Sequence, residues 1–254
     1  MIPRFNVLGV GIHAVNLRSA TETLVDATGP AQPRQRYVCC CDAHSIMQAR
    51  RSAAHRQTLN HALLATPDGM PMVWLGRRSG HSHINRVYGP DLLESLAAAT
   101  ADGSRSHYFY GGSPGVAADL GRRLQKRHPL VSILGHQTPP LSPAESLPLP
   151  SFPESTPDFV WVGLSTPKQE AFMHRLATTG IDFGVAIGVG AAFDFLTGRV
   201  RQASPAIQRS GLEWMWRLAH EPRRLGARYL WTVPRFAMLA TAQLLRFRRY
   251  PDPD

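Results

Sequence analysis

Short runs of apolar, β-favouring residues alternate with stretches whose apolar positions recur at helical spacing. That alternation predicts a parallel α/β sheet flanked by helices. Residues 5–12 read as the first strand, and Ser19-x-x-Glu22 as a capping box opening a helix through Asp26. Residues 36–41 are almost continuously apolar, as expected of a strand buried on both faces. Residues 44–62 are helical in pattern with a break near Ser52, and 63–66 form a short strand that stops at Pro67-Asp68-Gly69. Helices are predicted at 70–77 and 91–100, with a loop over 78–90 between them. Residues 106–110 predict a strand, Gly111-Gly112 a turn, and Ser113-Pro114 an N-cap with proline at the first position of a helix running to about residue 127. Further strands fall at 131–135, 158–164 and 183–189, and Thr166-Pro167 reads as the cap of a helix carrying Gln169 and Glu170. Seven prolines between 137 and 157 rule out long regular structure there and predict a surface loop. Beyond Pro205 the pattern is helical, with breaks expected at Gly211, Pro222 and Pro234. Two parts are expected: an α/β body over residues 1–198 and a helical appendage over 199–254.

Composition narrows the class. In 254 residues the hydrophobic fraction is 43%, too high for a mostly disordered chain. No uncharged apolar run reaches the ~18 residues of a transmembrane helix. The N-terminal stretch lacks a small-residue cleavage site, His13 and Asn16 standing in its place, and reads as mature protein. The three cysteines, Cys39, Cys40 and Cys41, are contiguous, which offers neither a disulfide framework nor a C-x-x-C metal pair and fits a reducing compartment. His81 and His83 have no carboxylate or cysteine cluster beside them and read as loop histidines, so no metal site is expected.

The formal charge is +10, and 26 of the 28 basic residues are arginine. From Arg199 to the end, 11 Arg face 4 acids, so most of the excess lies in the appendage. Arginine's planar fork suits phosphate and carboxylate. Anionic lipid, nucleic acid or a phosphorylated ligand are the partners such a segment fits. A nucleic-acid-binding protein is a competing reading, but no helix-turn-helix, RNP or zinc-finger pattern supports it. A nicotinamide-dependent enzyme is another, and GVGIHA lacks the later glycine of a dinucleotide fingerprint.

In open parallel sheets, ligands bind beyond the carboxyl ends of the strands. Five polar or glycine-rich segments follow predicted strands and should converge on one sheet edge: Cys41-Asp42, Pro67-Asp68-Gly69, Gly111-Gly112-Ser113, Ser165-Thr166-Pro167 and Gly188-Val189-Gly190. FYGGSPG has the character of an anion site, although such a turn is as readily structural. Asp68 is the candidate catalytic acid or base, with capping of the next helix as its alternative role. Asp42 occupies the corresponding place after an earlier strand. Arg86, in a loop, either forks onto a diphosphate or pairs with Asp91.

The segments PDGMPMVW, RVYGPDLL, FYGGSPG, STPKQE, GVGAAFDFLTG and GLEWMWRLAHEPRRLGARY occur in that order, and together they resemble the WecG/TagA/CpsF glycosyltransferase family over roughly residues 5–235. The resemblance implies a Rossmann-like fold whose appendage completes the active site. It implies inverting, metal-independent transfer, without a cofactor, from a UDP-sugar to a polyprenyl-diphosphate-linked saccharide, by a peripheral protein at the cytoplasmic face of the bacterial inner membrane. It assigns Asp68 the role of general base. Arg86 falls to phosphate support and Gln169 to the donor pocket. Arg217, Arg224 and Arg228 would close over the leaving diphosphate. Gly111, Gly112, Gly188 and Gly190, in the turns after predicted strands, are expected to line the substrate site. Where many relatives carry Thr-x-Asn, this chain has Cys40 and Asp42, so Asp42 adds a second carboxylate that either resets sugar specificity or shares the base role. The motif wording resembles the exopolysaccharide branch, which implies a UDP-hexose such as UDP-glucose; transfer of N-acetylmannosamine, of teichoic-acid or common-antigen type, is the alternative.

Residues 231–250 combine apolar side chains with Arg246, Arg248 and Arg249, and only ten uncharged residues separate Arg235 from Arg246. That is too short to span a bilayer. It fits a helix lying on an anionic membrane surface, or one packed on the body or on a second subunit of a homo-oligomer.

Overall fold

In the computed structural model, which describes residues 2–152 and 155–253, the first predicted strand is a hairpin. Residues 1, 153, 154 and 254 lie outside the described residues, and with them the matching positions of loop 137–157 and of the two expected parts. β1 (Arg4–Val7) and β2 (Val10–His13) pair antiparallel around Leu8 and Gly9, both at positive φ (52° and 94°). Two central residues at positive φ match the twist of a tight hairpin. Leucine rarely takes that conformation, which is why the sequence reads as one strand.

α1 (Leu17–Ala27) is capped by Asn16, whose side chain accepts from the Ser19 N–H, while the Ser19 hydroxyl accepts from the Asn16 N–H. The capping box therefore lies three residues earlier than Ser19-x-x-Glu22. β3 (Arg36–Cys41) and α2 (Ala43–Ala49) follow, then α3 (Ala53–Asn60), capped by Ser52 where the break was expected. β4 (Leu64–Pro67) leads into α4 (Met70–Arg78), and α5 (Gly89–Ala99) takes Gly89 and Pro90 into its first turn.

β5 (Ser106–Gly111) is followed by α6 (Val116–Arg127), whose N-cap is Gly115 at φ 81° rather than Ser113. Ser113 and Pro114 belong to the turn that the left-handed glycine closes, and the Ser113 carbonyl accepts from the Val116 N–H. After β6 (Ser132–Gln137), loop 137–157 holds one 3₁₀ turn at Ala144–Ser146 among its described residues. β7 (Phe159–Gly163), α7 (Lys168–Leu176) and β8 (Val185–Gly188) complete the sheet, and the single turn α8 (Ala192–Leu196) is too short to show a period. The cap of α7 is Pro167, without a side-chain hydrogen bond, and the Thr166 hydroxyl turns instead to Glu170.

The C-terminal helices are α9 (Pro205–Arg209), α10 (Glu213–His220) and α11 (Pro222–Leu244). Gly211 and Pro222 separate them, but Pro234 does not break α11. Pro234 and Leu230, whose carbonyl loses its helical partner, both lie on the exposed side of the helix, where such a loss is least costly.

Among the described residues six strands form one parallel sheet in the order β4-β3-β8-β7-β5-β6. Side-chain alternation gives it two buried faces. Cys39, Cys41, Tyr110, Val160 and Val162 pack with the hairpin, α2, α3, α4 and α7, and Phe236 and Ala240 of α11 join that layer. Val38, Cys40, Phe109, Trp161 and Ile187 pack with α1, α5, α6 and α8. This is the α/β, Rossmann-like sheet that the pattern and the resemblance predict. Register aligns the strand ends: Cys41 faces Pro67, Cys39 and Val162 face Gly188, and Gly111 faces Gly163. The five loops singled out in the sequence therefore open on one rim.

Candidate active site

Two cavities open at that rim. The larger, about 890 Å³, is lined by the strand-end loops, including Cys40, Gly112, Ser113, Thr166, Gln169, Gly188 and Gly190, and by Arg217, Arg224 and Arg228 from the C-terminal helices. The smaller, about 510 Å³, is mostly apolar; α4 contributes Met70, Pro71, Trp74 and Leu75, and α11 contributes Val233, Phe236, Ala240 and Leu244. Asp42, His44, Asp68, Tyr88 and Arg217 line both, so the cavities meet at those five side chains.

Asp68 sits where β4 ends, its N–H donating to the Cys41 carbonyl at 3.1 Å. It does not cap α4: the cap is Gly69, and α4 has no side-chain cap hydrogen bond. Burial pushes its carboxyl well above the usual carboxylate range; Asp42 and Glu213 push the same way, while Arg86 and Arg217 oppose them. A carboxyl so raised, at the meeting point of two cavities, suits proton transfer. Asp42 is the N-cap of α2, accepting from the Ser45 N–H at 2.8 Å, and so combines a structural role with a place at the junction. Cys40 lies on the opposite sheet face from Cys39 and Cys41. Burial first, then the nearby Asp68, pushes its thiol far up, so it stays protonated.

The glycine turn is tighter than an open anion cradle. Gly111 has φ 109°, and a Cβ there would stand 2.6 Å from the Gly163 carbonyl oxygen. The Gly112 N–H is already committed to that carbonyl, at 2.8 Å. Gly188 would carry a Cβ into Met173 and Gln169. Buried Gln169 accepts from the Gly190 N–H at 3.0 Å and donates to Glu170 at 3.0 Å, tying the loop after β8 to α7. Gln169 thus lines the larger cavity while fixing its wall.

Arg86 pairs with Glu213 at 2.6 Å, not with Asp91, and also donates to Gln208 at 3.0 Å. Arg224 pairs with Glu221. Several site residues escape the sequence reading. His44 faces Thr232 at 3.4 Å, its pKa lowered chiefly by burial. Tyr88, Trp74, Tyr229 and Glu213 belong to the site as well. Glu213 and Tyr229 lie inside the quoted GLEWMWRLAHEPRRLGARY segment, and Glu213 precedes Arg217 by one helical turn, a spacing that places both on one face. Among the described residues no group of three or more His, Cys, Asp or Glu is arranged to hold a metal ion. His83 instead contacts the Ala14 carbonyl at 2.7 Å, and the His81 ring packs on Phe5.

With this geometry in place, two likenesses to known proteins acquire weight. The model of the glycosyl transferase WecG/TagA/CpsF family matches residues 5–250. A relative from Bacillus spizizenii, an N-acetylglucosaminyldiphosphoundecaprenol N-acetyl-beta-D-mannosaminyltransferase, is 29% identical over 189 residues, which is 74% of this chain and 72% of that protein.

Proposed function

The chain belongs to the WecG/TagA/CpsF family and is a glycosyltransferase, and from that premise we propose that it moves a sugar from a UDP-sugar to a polyprenyl-diphosphate-linked saccharide across the junction at Asp68. The observation that carries this reading is that an arginine-lined cavity and a mostly apolar one meet at Asp68, with Asp42 beside it. The larger cavity suits the nucleotide sugar. Its arginines stabilise the departing diphosphate where charge develops. The apolar cavity suits the first isoprene units of the acceptor lipid. The acceptor hydroxyl attacks the anomeric carbon opposite the nucleotide, the C–O bond to the diphosphate breaks, and Asp68 takes the hydroxyl proton. In this scheme the helices after residue 199 act as an appendage that roofs both cavities.

The relative's name favours N-acetylmannosaminyl as the transferred unit, over the hexosyl unit that the motif wording implies. A donor screen with polyprenyl-diphosphate-linked N-acetylglucosamine separates them. UDP-N-acetylmannosamine is expected to give product and UDP-glucose none. Product from UDP-glucose alone restores the hexosyl reading, and no product from any UDP-sugar removes the scheme. UDP at about 100 times its dissociation constant is expected to stabilise the fold by about 2.7 kcal/mol, read as a rise in melting temperature, while NAD leaves it unchanged.

Among the described residues no helix is long and apolar enough to cross a membrane. The outward face of α11 carries Leu230 (75% exposed) and Met238 (64%) two turns apart, with Phe247 (83%) beyond, among Arg235, Arg246, Arg248 and Arg249. Such a face fits peripheral binding to anionic lipid, at about 1 kcal/mol per basic residue near the surface. Vesicles containing phosphatidylglycerol are expected to co-sediment the protein at low salt and release it at high salt. Equal sedimentation with neutral vesicles argues against this surface.

A further inference from the structure

Arg86 and Glu213 form the least exposed ion pair among the described residues, with side chains 13% and 15% exposed. The guanidinium also lies over the Tyr88 ring, 3.9 Å from its centroid, and reaches Gln208. Arg86 is therefore held from three sides, and one of its holders is the first residue of α10.

Apart from this pair, that helix packs chiefly on its neighbours α9 and α11. None of its residues is buried, it has no side-chain N-cap, and it follows Gly211, which stands at positive φ. Its aromatic contact through Trp214 goes to Tyr229, within the C-terminal helices themselves. Toward the α/β body it offers the Glu213 carboxylate and, one turn later, the Arg217 guanidinium, 5.4 Å from the Phe195 ring centroid. Residues four apart on a helix share a face. Fixing Glu213 at Arg86 therefore fixes the rotation and depth at which Arg217 enters the junction.

We propose that Glu213 is a positioning residue of the transfer reaction: its carboxylate keys α10 to Arg86 and so delivers Arg217 to the meeting point of the two cavities. The inference rests on the reaction scheme above, in which Arg217 acts on the leaving diphosphate. A displacement of about 1 Å in such a group costs on the order of 100-fold in rate.

The test uses the full chain and four variants: Glu213→Ala, Glu213→Gln, Arg217→Ala and the Glu213→Ala/Arg217→Ala double variant. Amide hydrogen exchange over residues 205–220, measured without substrate, is expected to quicken in Glu213→Ala and to stay near wild type in Glu213→Gln, which keeps an oxygen for Arg86. In transfer assays Glu213→Ala is expected to lose on the order of 100-fold in kcat, and the double variant no more than Arg217→Ala alone, because groups acting through one another are not additive. Unchanged exchange in Glu213→Ala, or losses that multiply in the double variant, overturns the proposal. Absence of wild-type turnover counts against the reaction scheme, and the exchange result still judges the keying of α10.

Discussion

Asp68→Asn is expected to lower kcat by about 10²–10⁴-fold, the usual contribution of a positioned acid or base, and to leave UDP binding nearly intact. The substitution is close to isosteric, so the cavities keep their shape and only the proton acceptor is lost. The same variant is expected to gain stability at neutral pH. Burial and the neighbouring Asp42 and Glu213 raise the carboxyl pKa in the fold. The native state then retains a proton that the unfolded chain has released, so stability falls as pH rises above the unfolded carboxyl's range and through the raised one. Asparagine does not titrate and escapes that loss. Each kcal/mol recovered appears as about 2–4 °C in melting temperature for a chain of this size. In the wild type, the acid limb of kcat/KM is expected well above the ordinary aspartate range. A variant that turns over within about tenfold of wild type, or a limb near pH 4, removes Asp68 from the role.

Arg217→Ala is expected to cost about 10²–10³-fold in kcat, comparable to the loss of one preorganised donor at a developing anion. Arg217 is the one arginine of the proposed diphosphate trio that lines both cavities; Arg224 and Arg228 line only the larger. The Nε of Arg217 is buried with no hydrogen-bond partner among the described residues, a donor available to a ligand oxygen. Lysine at this position is expected to recover only part of the rate, since a point charge replaces a planar fork. Single-turnover transfer at saturating donor reads the chemical step directly. A loss confined to the donor KM would make Arg217 a ground-state ligand rather than a group that acts in the transition state.

The rim was legible in the sequence because the loops that form it follow β-rich runs in a parallel pattern, and such loops share one side of the sheet. Asp42, Asp68 and the glycines 188 and 190 come together for that reason. The partners across the cavity were less legible. Arg217, Arg224 and Arg228 follow only from the family resemblance; their place at the larger cavity depends on how α10 and α11 fold back, which no local signal encodes. Glu213 lies in a quoted motif, but its partner Arg86 is more than 120 residues away, a pairing no local pattern encodes. Boundaries failed where residues broke their usual habits. Leu8 takes a glycine-like conformation, Asn16 caps where Ser19 was the stronger signal, and Pro234 sits inside a helix whose outer side water can serve.

The last turn of α11 reaches the first turn of the chain: Gln243 accepts from the Leu8 N–H at 2.9 Å and donates to the Asn6 carbonyl at 2.7 Å. Leu8 is almost fully buried, so its amide depends on a residue 235 positions away in sequence. During synthesis the ribosome delivers that residue only after the whole sheet has emerged. Until α11 docks, water serves that amide, and the clasp then closes as a long-range event that follows formation of the sheet.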